Sequence, residues 1–185
     1  MAVLRGATSN LDFFSAAQRM GEIIREASRD PKIVAAARAL VRNLAPGDYA
    51  GEASALHQFV RDRIRYTGDP FNEDLYAWPQ VTLQQKAGDC NNKVLLFGAL
   101  ARALGFPVQM LFAFKNPQPN LALDFPSHVL AAVDVYKGER QRRQWWPVET
   151  TPLPDRLTGF PTVKAPLGYW PGAHGGHVES VEVDA

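Results

Sequence analysis

Gly88-Asp89-Cys90-Asn91-Asn92-Lys93-Val94-Leu95-Leu96-Phe97-Gly98-Ala99-Leu100-Ala101-Arg102-Ala103-Leu104-Gly105 is the stretch that decides the fold. Beyond its first turn it is apolar on nearly every side, and Gly105 followed by Pro107 is a helix stop. A helix that is apolar all round has to be covered all round. Residues 90–104 therefore predict a core helix, with Cys90, the single cysteine of the chain, at its first position. Unpaired backbone N–H groups and the positive dipole end of a helix favour a thiolate, the species that attacks carbonyl carbon. A free cysteine also serves as a small buried hydrophobe, so position alone leaves both roles open.

On the N-terminal side, Phe13, Phe14, Ala17, Met20, Ile23, Ile24 and Ala27 recur at helical spacing and predict an amphipathic helix over 11–28, with Ser9 or Asn10 as N-cap. Asp30-Pro31 opens a second helix over 31–44, with Val34, Ala37, Leu40, Val41 and Leu44 on one face. A third, over 51–65, turns Leu56, Phe59, Val60 and Ile64 inward and most of its arginines outward. Residues 67–80, with Gly68, Asp69-Pro70, Asn72 and Pro79, read as a loop bordering whatever Cys90 faces. Its aromatics Phe71, Tyr76 and Trp78 either line a cleft or fill the small core of the loop.

On the C-terminal side the period changes from helix to strand: 108–115, 127–136 and 144–149. The last two are joined by a turn at Lys137-Gly138-Glu139-Arg140, which makes an antiparallel pair. Helices followed by strands give an α+β layer. Residues 153–185 are rich in Gly and Pro and read as an extended tail packed on the core, closing with a strand at 178–183.

At 185 residues, with 46% hydrophobic and 21% charged content, the chain has the composition of a folded globular protein. No apolar run is long enough to span a bilayer. The net charge of +1 gives no reason to expect a nucleic-acid or anionic-lipid partner. Arg61, Arg63 and Arg65, and Arg140, Arg142 and Arg143, read as solvated surface. The first residues, MAVLRGATSNLDFFSAAQRM, lack the parts of a secretory signal, so export by that route is not expected. A cytoplasmic protein and a phage virion component both fit.

A cysteine nucleophile needs a base, and the base needs a group that fixes its tautomer. His57 sits beside Leu56 and Phe59, where helix packing accounts for it. His174 and His177 have the spacing of a loose metal pair, but with no second cysteine and no organised carboxylate nearby no metal or other cofactor is expected. His128 is different: it starts the apolar strand His128-Val129-Leu130-Ala131-Ala132-Val133, and Glu149 ends the next strand. In an antiparallel hairpin the start of one strand lies beside the end of the other, which makes His128 and Glu149 neighbours. Cys90, His128 and Glu149 are thus the expected catalytic set.

Phe59-Val60-Arg61-Asp62-Arg63-Ile64-Arg65-Tyr66, Trp78-Pro79-Gln80-Val81-Thr82-Leu83, Gly88-Asp89-Cys90, Leu104-Gly105-Phe106-Pro107, Ser127-His128-Val129 and Trp146-Pro147-Val148-Glu149-Thr150-Thr151 together resemble the transglutaminase-like superfamily in order and spacing. The likeness covers about residues 52–152. It implies a papain-like core over 51–152, a cysteine-bearing central helix on an antiparallel sheet, with a helical extension over 1–50 and the tail outside it. It also implies acyl transfer: Cys90 attacks an amide carbonyl to form a thioester, His128 shuttles the proton and Glu149 orients the imidazole. The backbone N–H of Cys90 would help hold the oxyanion, with Trp78 and Asp89 as candidates for cleft or oxyanion support. Two features depart from the family pattern: the usual aspartate is Glu149, and the acidic pair that often follows the cysteine is Asn91-Asn92.

The expected function is cleavage or transfer of peptide or isopeptide amide bonds, hydrolysis slightly favoured because no acidic calcium loop is present. The expected partner is a protein or peptide substrate, with no nucleic acid and no membrane. The alternative, from another class, is an idle fold used for binding or assembly, docking through residues 1–50 or the tail.

Overall fold

The computed structural model describes residues 4–6, 13–68, 74–137, 143–151, 162–165, 168–171 and 177–183. In chain order these form β1 (Leu4–Gly6), α1 (Phe13–Ala27), α2 (Pro31–Val41), α3 (Tyr49–Arg63), β2 (Arg65–Tyr66), β3 (Asp74–Tyr76), α4 (Pro79–Gln85), β4 (Ala87–Gly88), α5 (Cys90–Ala103), β5 (Val108–Phe114), β6 (His128–Asp134), β7 (Trp145–Val148), β8 (Thr162–Ala165), β9 (Gly168–Pro171) and β10 (His177–Glu182).

The predicted core helix is α5, and both of its ends are closed by local chemistry. Asp89 is the N-cap, its carboxylate accepting the Asn92 N–H at 2.8 Å. At the other end Gly105 has φ +86, and the Gly105 and Phe106 N–H groups turn back to the carbonyls of Arg102 and Ala101. That is a Schellman closure, which needs a residue at ease with positive φ. Every residue from Asn92 to Ala101 is buried, because α1, α2, α3 and α4 pack on α5 from one side and the sheet from the other.

Phe13, Ala17, Met20, Ile23, Ile24 and Ala27 of α1 join Val94 to Leu100 in one core cluster. Close approach of α1 depends on Gly98, where an added Cβ would come within 2.9 Å of Ile24 Cδ1. The helix expected over 31–44 ends at Val41 instead: Leu44 N–H turns back to the Val41 carbonyl at 3.0 Å, and Pro46 opposes helical backbone just before it. The stretch read as a loop over 67–80 holds β3 and the start of α4. At seven residues α4 is too short for its periodicity to stand out, and it closes on Lys86 in the left-handed region.

The sheet order is β10-β5-β6-β7, antiparallel throughout. β6 is buried along its whole length because it is central and covered on both faces. Val129, Ala131 and Val133 meet the α5 side, while Leu130 and Ala132 form a second cluster with Leu111, packed by Trp145 and Val178. The predicted closing strand is β10, and it pairs with β5 from Glu182↔Gln109 to His177↔Phe114. The mixed helical and antiparallel-sheet architecture is the expected α+β class.

Candidate active site

Cys90 is held at the start of α5 by the segments on either side of it. β4, just before it, pairs in parallel with β2, and the Gly88 carbonyl accepts the Thr67 N–H at 3.0 Å. Gly88 is required here by close approach, since a Cβ would sit 2.7 Å from Asn92 Cβ. Asn92, 6% exposed, turns its side-chain oxygen to the Ala77 N–H at 2.7 Å. That bond ties the residue before Trp78 to the first turn of α5, and Asn91 Nδ2 reaches Asp89 at 3.4 Å. The Asn91-Asn92 pair is therefore a hydrogen-bonded brace of the helix start.

His128 and Glu149 meet. His128 opens β6 and Glu149 directly follows β7, which pairs antiparallel with β6 as far as Ala131↔Val148, so the start of one strand lies near the end of the other. His128 Nε2 lies 2.7 Å from Glu149 Oε2, with both side chains almost fully buried. A carboxylate only accepts, so Nε2 bears the proton, and in the neutral ring Nδ1 keeps the lone pair. The other carboxylate oxygen, Oε1, accepts the Thr151 N–H at 2.7 Å.

The Cys90 thiol, on a partly exposed residue, lies against the same strand start: the backbone N–H groups of Val129 and Asn91 reach its sulfur. Burial pushes the thiol up to about 12, the Asp89 and Glu149 carboxylates add to the rise, and the two N–H groups oppose it. Desolvation thus opposes the thiolate that a helix start by itself would favour.

Two buried residues outside the expected catalytic set lie next to it: His57, read from sequence as helix packing, and Lys93, which was given no role. His57, on α3, sets Nε2 2.8 Å from the Glu149 backbone carbonyl. Its burial pushes it below the usual histidine range. Lys93, fully buried one turn beyond Cys90, donates from Nζ to the Ile64 carbonyl at 2.8 Å and the Arg61 carbonyl at 3.3 Å. There a cation meets the carbonyl end of α3. Desolvation lowers Lys93 to about 8, partly offset by the Glu149 and Asp62 carboxylates. A lysine inside an apolar helix was the one available signal, because buried lysines are seldom unpaired.

The family model of the Transglutaminase-like superfamily matches residues 35–150, more than half of the chain. This chain belongs to that superfamily. No curated protein matches it in sequence. Among solved structures it is similar to a candidate protease from Parabacteroides distasonis, with a TM-score of 0.61 and 14% identity over 88% of this chain and 31% of that one. It is also similar to a candidate cysteine protease from Cytophaga hutchinsonii, with a TM-score of 0.45 and 17% identity over 83% and 52%. The chain thus spans about a third and about a half of the lengths of these structures.

Within the transglutaminase-like core, Trp78 is partly buried at the N-terminus of α4, its carbonyl receiving the Val81 and Thr82 N–H groups. Asp89 acts as the cap of α5; a carboxylate accepts and does not donate, so its support of an oxyanion would run through the helix start it fixes. Tyr76 is 6% exposed and in the core, while Phe71 lies outside the described residues. His177 opens β10 with Nε2 3.0 Å from Glu179, and His174 lies outside the described residues. Among the described residues no group of three or more His, Cys, Asp or Glu could hold a metal ion, and no helix is long and apolar enough to cross a membrane.

Proposed function

We propose that this transglutaminase-like chain is an acyl-transfer enzyme acting on peptide or isopeptide amides, with Cys90 as nucleophile, His128 as acid and base, and Glu149 as the group that orients the ring. The observation that carries this reading is the buried 2.7 Å contact between His128 Nε2 and Glu149. It turns Nδ1 away from the carboxylate, on the strand start whose next residue, Val129, directs its backbone N–H to the Cys90 thiol. The thiol proton passes to Nδ1 as sulfur attacks the carbonyl carbon, and the carbonyl electrons move onto oxygen. The Cys90 N–H, at the helix position where no intrahelical acceptor exists, is available to that oxyanion. Collapse breaks the C–N bond, the leaving amine takes the proton from Nδ1, and a thioester remains. Water or an amine then attacks the thioester with His128 again taking the proton, and Cys90 leaves as the thiol.

Hydrolysis is favoured over transamidation; both use the same thioester. The other class, an idle fold used for binding or assembly, is favoured by the desolvation of Cys90, which works against the thiolate. A profile of peptide and glutamine substrates, with Cys90→Ala as control and a primary amine as competitor, tests the proposal. Product release that depends on Cys90 is the expected result, and a diverted amide product would assign transamidation. Activity that survives in Cys90→Ala, or no turnover and no thioester with any substrate, overturns it.

A further inference from the structure

Glu149 has one methylene more than the aspartate that the sequence resemblance leads one to expect, and so one more rotatable bond between backbone and carboxylate. A longer side chain meets the same ring reproducibly only if its origin is held. Here both ends are tied. Oε2 faces His128 Nε2 at 2.7 Å, and Oε1 accepts the Thr151 N–H at 2.7 Å. The backbone carbonyl of Glu149 is held by His57 Nε2 at 2.8 Å, a bond between residues 92 positions apart.

A carbonyl only accepts, so His57 Nε2 carries the proton and donates it. His57 is 3% exposed and stands on α3, whose end is itself fastened to α5 by Lys93. The acidic residue is thereby referenced to the same two helices that place Cys90. Packing alone would not require a nitrogen at this point, since an apolar ring of similar volume would fill the space and leave the buried carbonyl unpaired.

We propose that His57 is a positioning residue of the site, its Nε2–H fixing the Glu149 backbone so that the longer carboxylate meets His128. The effect on rate rests on the acyl-transfer reading above; the effect on geometry does not.

The test uses the full chain as wild type, His57→Leu, which removes the donor, and His57→Gln, which restores an N–H at similar reach. The His128 imidazole N–H signal, followed by NMR with labelled histidine, reports the bond to Glu149. His57→Leu should shift or broaden that signal and lower the rate of Cys90 acylation at saturating ester about tenfold, with KM little changed, as loss of one buried hydrogen bond implies. His57→Gln should restore the signal and bring the rate back to within about threefold of wild type.

A folded His57→Leu protein with the wild-type signal overturns the proposal. So does a folded His57→Gln protein whose signal is as disturbed as that of His57→Leu, because the ring and not its donor would then matter. If His57→Leu fails to fold, the His57→Gln signal decides by the same criterion. If wild type forms no thioester, the acyl-transfer reading fails, and the NMR comparison still decides the role of His57.

Discussion

Removal of the His128 ring is the perturbation that separates an activated site from an idle one. At pH 7 a thiol at about 12 is ionised in roughly one molecule in 10⁵, against about one in 10² at the ordinary value of 9.0. If Cys90 reacted only through pre-formed thiolate, it would be about 10³-fold slower than an ordinary cysteine. A base that takes the proton during attack removes that handicap and contributes about 10² to 10⁴-fold. The assay is acylation by a p-nitrophenyl ester, read as the mass increase of the intact protein and identified as a thioester by its lability to hydroxylamine. Cys90 is the single cysteine of the chain, so the product is unambiguous. His128→Ala should be about 10²-fold slower or more at pH 7. Its rate should climb about tenfold per pH unit toward 12, as a free thiol does, while wild type climbs less steeply. Equal rates in the two proteins, both rising tenfold per unit, would refute general-base activation and leave the binding or assembly role.

Glu149→Gln preserves size but offers an amide that donates as well as accepts, so the ring loses its fixed tautomer; acylation should fall on the order of 10³-fold with the melting profile little changed, and a loss under threefold would sink the orienting role. Lys93 sits at about 8 when folded and 10.5 when not, so the unfolded chain holds more protons between those values and this residue makes stability rise with pH across that window, by at most about 3 kcal/mol. Cys90 works oppositely: raised from 9.0 to about 12, its contribution is complete below 9 and is lost toward 12. Urea midpoints measured from pH 7.5 to 10.5 in Cys90→Ala should therefore rise, and the rise should vanish when Lys93→Met is added; its persistence would show that another group is responsible. Gly98→Ala places a Cβ 2.9 Å from Ile24 Cδ1. The mutation should destabilise by about 1–3 kcal/mol, outweighing the better helix propensity, and an unchanged melting temperature would show that α1 yields without cost.

Local pattern made much of this molecule legible. The apolar run after Cys90 and the Gly105 stop are near neighbours in the chain, so helix chemistry alone places the cysteine at a helix start, although the Asp89 cap became visible only in the structure. The strands containing His128 and preceding Glu149 are joined by a short connection, and hairpin register brings those two together by geometry that two segments suffice to specify. The short helix α4 escaped because seven residues carry too little periodic signal, and the helix over 31–44 stopped early because a turn and Pro46 compete with its last apolar position.

What sequence by itself determined is therefore the long helices and the sheet strands around the site, their α+β order and the three residues to watch. Only the tertiary structure decided how those residues are held and buried. His57 reads as packing until the Glu149 carbonyl, 92 residues away, is found against its ring. Lys93 reads as a stray charge until the carbonyls ending α3 are found around it. The thiol of Cys90 reads as activated by a helix dipole until burial, which depends on every element packed around it, pushes it the other way. Periodicity is a property of neighbours along the chain, whereas desolvation and buried hydrogen bonds are properties of neighbours in space.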